Sequence, residues 1–305
     1  MNLTENWGQK HLHRLKWGIY TNSTQDYRMA SSEIGGNYHR LQDQNLKNIP
    51  PDTDHLLIFG NIWANRQEPP VFHNPAHLHL VHRLQYVFWD NPALPHLLYR
   101  GAWNPEGYKN WCRMTWNWTN TTTNNPPANR SGTDRINRLL KTASGGAVKH
   151  WHEIIGGHLR DTRLGKTALL VPSSPEWHHY YQKLTVEQWI QKKTSVLRDR
   201  GFDVKVRSKP SRQDREGGAG RLYQQLDNIG LVVSEGVGAL ESILAGVPAL
   251  VGDWAPAGPL ATHWDDFVES YNIDTPTADR TEQWMERVLQ DTFHKSEIYS
   301  GSWNG

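Results

Sequence analysis

The stretch from Leu231 to Val251, Leu-Val-Val-Ser-Glu-Gly-Val-Gly-Ala-Leu-Glu-Ser-Ile-Leu-Ala-Gly-Val-Pro-Ala-Leu-Val, leaves this chain few ways to fold. A short β-branched apolar run leads into a glycine-bearing turn. A short helix follows, closed by Gly246, and a second apolar run is entered through Pro248. This is a β-turn-α-β unit. Its turn places backbone N–H groups and the positive end of a helix dipole at the carboxyl end of a strand, where open α/β sheets bind phosphates. Ser234, Gly236 and Gly238 are therefore phosphate-binding candidates. Glu241, about one helical turn further on, is placed to accept hydrogen bonds from ribose hydroxyls. The same glycines also suit a strand-to-helix turn that is merely tight. Two named motifs are excluded. Gly236-x-Gly238-x-x-Glu241 carries a carboxylate where the dinucleotide fingerprint needs a small residue, and Gly165-Lys166-Thr167 lacks the upstream glycine of a P-loop.

Ser234-x-Gly236-x-Gly238-x-x-Glu241 followed by Ala245-Gly246-Val247-Pro248 resembles the nucleotide-sugar signature in the C-terminal domain of GT-B glycosyltransferases. More broadly, the chain resembles glycosyltransferase-like proteins of bacteriophages. The match covers roughly residues 167 to 259. In the first half it rests on Trp89-Asp90-Asn91-Pro92 and Arg113-Met114-Thr115-Trp116-Asn117. The resemblance implies an α/β fold of two Rossmann-like domains facing a central cleft. It also implies a nucleotide-sugar such as a UDP-sugar as co-substrate, no further cofactor, and no metal. The phage likeness implies a hydroxylated base in DNA as acceptor, with a surface glycan precursor as the enzymatic alternative. A nucleotide- or nucleic-acid-binding module without catalysis is the reading from another class.

Composition narrows the classes. The mean hydropathy is −0.73, no run approaches the ~20 apolar residues of a membrane span, and Met1 to Asn6 lacks a signal-peptide core, so a cytoplasmic protein is expected. The single cysteine, Cys112, forms no internal disulfide. A net charge of +2 is too small to argue for nucleic acid by itself. The chain has 15 Trp against six Phe, and indoles in such number pack cores, stack on sugars or stack on bases.

Residues 1–150 read as an acceptor-binding domain, with strands expected near Lys16–Asn22, His55–Gly60 and Leu84–Trp89. The loop from Ser31 to His39 is a candidate substrate loop, its Gly35-Gly36 pair allowing close approach and Asn37, Tyr38 and His39 offering hydrogen bonds. Asp90 ends an apolar strand just before a proline turn. By the resemblance, the N-terminal domain supplies the acceptor pocket, and Asp90 is the candidate general base; it also reads as a residue that simply ends the strand. Arg113 and Trp116 belong to a run of alternating Trp and basic residues that suits an acceptor base, or equally a Trp-rich sheet. The imidazoles of His73 to His82 lack the spacing of a metal site.

Residues 151–275 read as the nucleotide-sugar domain, with the interdomain connection between about Ser144 and Gly165. Thr167–Val171 is expected as a strand that delivers Ser173 and Ser174. Thr185 with Gln188 reads as a capping box opening a helix whose apolar stripe is Val186, Trp189, Ile190, Val196 and Leu197, stopped at Gly201. Phe202–Val206 is the next strand, placing Arg207 and Lys209 at its end, and Arg221–Asp227 reads as a short helix. Alternating strands and helices imply a parallel sheet whose carboxyl edge gathers Ser173, Ser174, Arg207, Lys209, Ser234 and Gly238. Within residues 276–305 an amphipathic helix is expected over Glu282–Phe293. In GT-B folds such a terminal helix crosses back to the first domain.

Overall fold

The computed structural model describes the backbone of residues 17–20, 38–41, 55–59, 85–90 and 111–116. Beyond these it describes 130–143, 145–146, 149–154, 159–207, 222–252, 255, 257–290, 292–294 and 297. The protein is a mixed α/β molecule that divides into two compact units. One comprises Met1–Pro95, Glu106–Thr119 and Asp291–Gly305, the other His96–Pro105 and Asn120–Gln290.

The first unit holds a six-stranded sheet. Strands β1 (Trp17–Tyr20), β2 (Tyr38–Leu41), β3 (His55–Phe59) and β4 (Gln85–Asp90) are parallel, in the order β2-β1-β3-β4. Beyond β4 the pairing turns antiparallel, with β5 (Trp111–Trp116) and then β11 (Thr292–His294) completing the sheet. The strand expectations near residues 16–22, 55–60 and 84–89 hold. The substrate-loop reading is corrected in part: Tyr38 and His39 are not loop residues but open β2, in register with Trp17 and Gly18. Tyr-His-Arg-Leu offers a strand-favouring aromatic and an apolar end to an edge position, where only one neighbour has to be matched.

The second unit holds a five-stranded, all-parallel sheet in the order β10-β9-β8-β6-β7, with β6 Thr167–Val171, β7 Asp203–Val206, β8 Leu231–Ser234, β9 Ala249–Val251 and β10 Thr262–His263. Its helices are α1 (Arg130–Ala143), α2 (Trp151–Ile154), α3 (Pro175–Trp177, continued by a wider turn over His178–Gln182), α4 (Val186–Asp199), α5 (Val237–Leu244), α6 (Trp264–Ser270) and α7 (Ala278–Gln290). In chain order the sheet runs second-first-third-fourth-fifth. The winding direction therefore reverses between β6 and β8, and ligands of such sheets bind in the crevice outside that reversal.

Strand alternation sorts the core into two layers. Ala168, Leu170, Leu231, Val233 and Leu250 face Trp189, Leu197, Trp264 and Phe267. Leu169, Val171 and Val232 face Leu222, Leu226, Ile229 and Val247 on the other side. Because both faces are covered, β6 and β8 read as continuous apolar runs rather than alternating ones.

Helix α4 is closed as its sequence specifies. Gln188 N–H donates to Thr185 Oγ1 (3.2 Å) and Thr185 N–H donates to Gln188 Oε1 (2.8 Å), while Gly201 beyond the last turn takes φ +82°. The stretch Arg221–Asp227 supplies one tight turn, Leu222–Gln225. The tail helix differs from expectation at its end. It stops at Gln290, where the Arg135 guanidinium takes up the carbonyl of Leu289 (2.9 Å), and Thr292 and Phe293 instead pair with Arg113 and Cys112. β-branched and aromatic side chains suit a half-buried strand better than another helical turn.

Candidate functional site

The turn after β8 lies beside the point of reversal, and its residues diverge to the two faces of the sheet. Val233 faces the Trp189 layer, so Ser234 turns to the opposite face, where its Oγ accepts from Gly236 N–H (3.4 Å). Gly238, in the first turn of α5, lies on that same face. A Cβ there would meet Ser234 Oγ at 3.0 Å and Leu222 and Val171 at 3.3 Å, so glycine lets the helix approach the strand. Gly236 is different. It has extended backbone that any residue adopts (φ −134°), and a Cβ on it would meet no atom of the described residues within 4 Å. Open space over Gly236 and the first N–H groups of α5 thus occur together, a geometry that suits an anion. Glu241 is buried within α5, at 7% exposure.

The turn after β6 is fixed by its own hydrogen bonds. Ser174 Oγ accepts from Trp177 N–H (3.2 Å) and so caps α3. Ser173 N–H donates to His178 Nε2 (3.0 Å), which leaves the ring proton on Nδ1 to reach Gln182 Oε1 (2.9 Å). Gln182 Nε2 in turn donates to Glu235 Oε1 (3.0 Å). A chain of polar contacts therefore joins the ends of β6 and β8, with His178 wholly buried in it.

Glu235 is the residue the motif reading passed over. It follows Ser234 and points the other way, into the Trp189 layer, at 3% exposure. Trp189 Nε1 also donates to its Oε1 (3.3 Å), and Lys193 Nζ lies 3.9 Å from the same oxygen. Lys193 Nζ sits over the face of Trp264, 3.6 Å from the ring centroid. Burial pushes the lysine down to about 8, with Glu235 opposing that shift. These groups line a pocket of about 240 Å³ with Trp177, Lys192, Gly252, His263 and Asp265. Two signals in the sequence mark it: Glu235 alternates with Ser234 along the strand, and Lys193 falls four residues after Trp189 and four before Leu197, on the buried stripe of α4.

The remaining candidates are placed as follows. Arg207 follows β7, half-buried, its N–H donating to Leu170 O (2.9 Å). Asp90 is the last residue of β4, in register with Arg113, and Trp116 ends β5 in register with Val87. Asn37, Lys209 and the segment His73–His82 lie outside the described residues. Among the described residues, no group of three His, Cys, Asp or Glu side chains is arranged to hold a metal, and no helix is long and apolar enough to cross a membrane.

No protein-family model matches this chain, and no curated protein matches it in sequence. Among solved structures it is similar to the beta Kdo 2,7 transferase of Thermosulfurimonas dismutans KpsC, at 10% identity and a TM-score of 0.48, over 92% of this chain and 92% of that one. It is also similar to the beta Kdo 2,4 transferase of the same organism's KpsC, at 10% identity and a TM-score of 0.45, over 93% of this chain and 94% of that one.

Proposed function

We propose that this protein is a glycosyltransferase that moves a sugar from a nucleotide-sugar to a hydroxyl acceptor. The observation that carries this reading is the turn at the sheet's reversal point, where α5 begins beneath open space over Gly236. The phosphates of the donor rest on that turn, and Arg207 adds positive charge to the same sheet edge, with Lys209 two residues further along the sequence as a second candidate cation. Glu241 holds the ribose. When the acceptor oxygen attacks the anomeric carbon, the bond to the phosphate oxygen breaks, and the nucleotide leaves with the charge that N–H groups and cations stabilise. Asp90 takes the proton of the acceptor hydroxyl.

The acceptor carries a hydroxyl on either a hydroxymethylated DNA base or a surface glycan precursor. The run of Trp and basic residues that includes Arg113 and Trp116 supports the DNA reading. The test is a transfer assay that crosses a panel of nucleotide-sugars with both acceptor classes and follows product mass. A product heavier by one sugar residue, formed only when donor and acceptor are both present, is expected. Nucleotide binding without release or transfer from any donor would instead mark a binding module.

A further inference from the structure

Lys193 lies on the buried stripe of α4, yet its ammonium makes no hydrogen bond to any described residue. Its nearest carboxylate oxygen is Glu235 Oε1, 3.9 Å away and beyond hydrogen-bond distance. That oxygen already receives Gln182 Nε2 (3.0 Å) and Trp189 Nε1 (3.3 Å), while Oε2 is sealed against Gly252. Glu235 thus balances the charge of Lys193 without taking its N–H groups. Leaving the donors of a largely buried ammonium unmatched is costly. Their acceptors must come from the open pocket of about 240 Å³ that Lys193 lines.

The charges that the pocket presents restrict its occupant. Lys192, exposed on the same helix, lines the pocket too and adds a second ammonium with no partner among the described residues. Asp265 is 79% exposed, so solvent screens its charge. A carboxylate complements two ammoniums because it offers two oxygens, and its charge-assisted hydrogen bonds are about twice as strong as neutral ones. A phosphate dianion fits less well, since the buried Glu235 beside Lys193 repels each further negative charge. The remaining wall is apolar. Trp177 and Leu184, both half-buried, line the same space and suit the flat side of a ring. The volume corresponds to roughly eight waters at ~30 Å³ each, room for one ring with its carboxylate.

We propose that this pocket binds a small ring-bearing carboxylic acid as its carboxylate, which accepts from Lys193 Nζ beside Lys192 while the ring packs against Trp177 and Leu184. The site lies on the face of the sheet opposite Gly238 and the start of α5, so it goes beyond the nucleotide-sugar reading and stands or falls separately. The acid occupies it even if no nucleotide binds the turn. An aromatic acid and a sugar acid share this chemistry, and the probes tell them apart.

The test is saturation-transfer NMR titration of the full chain at pH 7 with benzoate and D-glucuronate, each beside its neutral counterpart, benzamide and D-glucose. Uridine, guanosine and inorganic phosphate are the competing classes. At least one of the two acids is expected to bind about tenfold or more tightly than its neutral counterpart, and to lose that advantage in Lys193→Met while near-ultraviolet circular dichroism is unchanged. Should Lys193→Met not fold, Lys192→Glu on the exposed side of α4 decides the matter, because a carboxylate at the pocket should weaken the acid several-fold. No binding of either acid, equal binding of acid and neutral counterpart, binding indifferent to the lysine variant, or a nucleoside or phosphate that binds more tightly than both acids and depends on the same lysine would overturn the proposal.

Discussion

Gly236 and Gly238 stand two residues apart in one turn, yet they answer to different constraints. Gly238 is glycine because Ser234, Val171 and Leu222 crowd the place of its Cβ, whereas Gly236 borders open space. Gly238→Ala should therefore destabilise the fold by about 1–3 kcal/mol, read by denaturant unfolding. Gly236→Ala should fold like the parent while weakening phosphate-bearing ligands, because its methyl enters the space they need. Equal stability losses for the two would show that the open space is not there in solution. Lys193 gives a residue-scale prediction in pH. Its folded value of about 8 lies below the ordinary ~10.4, so between these values the unfolded chain binds more protons than the folded one. Stability attributable to Lys193 thus rises with pH across that window, by on the order of 3 kcal/mol in all. Urea unfolding from pH 7.5 to 10.5 should show a steeper upward trend in the parent than in Lys193→Met. Parallel trends would mean that Lys193 is solvated.

At the scale of elements, the approach of β6 to β8 depends on two glycines just before them. Gly165 N–H donates to Gly230 O (3.1 Å), and a Cβ on Gly230 would overlap the backbone of Gly165. Gly230→Ala should lower the unfolding midpoint markedly, since backbone must move to admit it, while Gly201→Ala, with open space but φ +82°, should cost less. A reversed order would place the strain in the left-handed turn rather than in the contact. The second sheet was readable from sequence because its signals are local. The Thr185–Gln188 capping box, the stops at Gly201 and Gly246, and the apolar runs of β6 and β8 each name an element without reference to the rest. Less was readable where tertiary contacts decide. The overextended reading of the tail helix failed because Arg135, more than 150 residues away, takes up its terminal carbonyls, and Thr292 gains a strand partner in Arg113. Likewise, Tyr38 and His39 look like loop residues until the parallel pairing with β1 is known.

For the molecule as a whole, the candidate site was half legible. The Ser234–Glu241 motif announced the turn, but Glu235 was hidden inside it, because its role depends on Gln182, Trp189, Lys193 and Gly252 arriving from three other segments. In the proposed reaction the general base is Asp90, the last residue of β4 in the first unit. Asp90→Asn should leave donor affinity intact and slow transfer by ~10²–10⁴-fold. A variant that transfers at the parental rate would remove Asp90 from the mechanism. All of this depends on the turn of the second unit accepting phosphates, and calorimetric titration addresses that point directly, with nucleosides, nucleoside monophosphates and nucleoside diphosphates of all four bases tested on the parent and on Gly236→Ala. At least one nucleotide is expected to bind the parent at least tenfold more tightly than its nucleoside, with that advantage largely lost in a folded Gly236→Ala. Nucleotides that bind no better than their nucleosides, or an advantage that survives the added methyl unchanged, would contradict it.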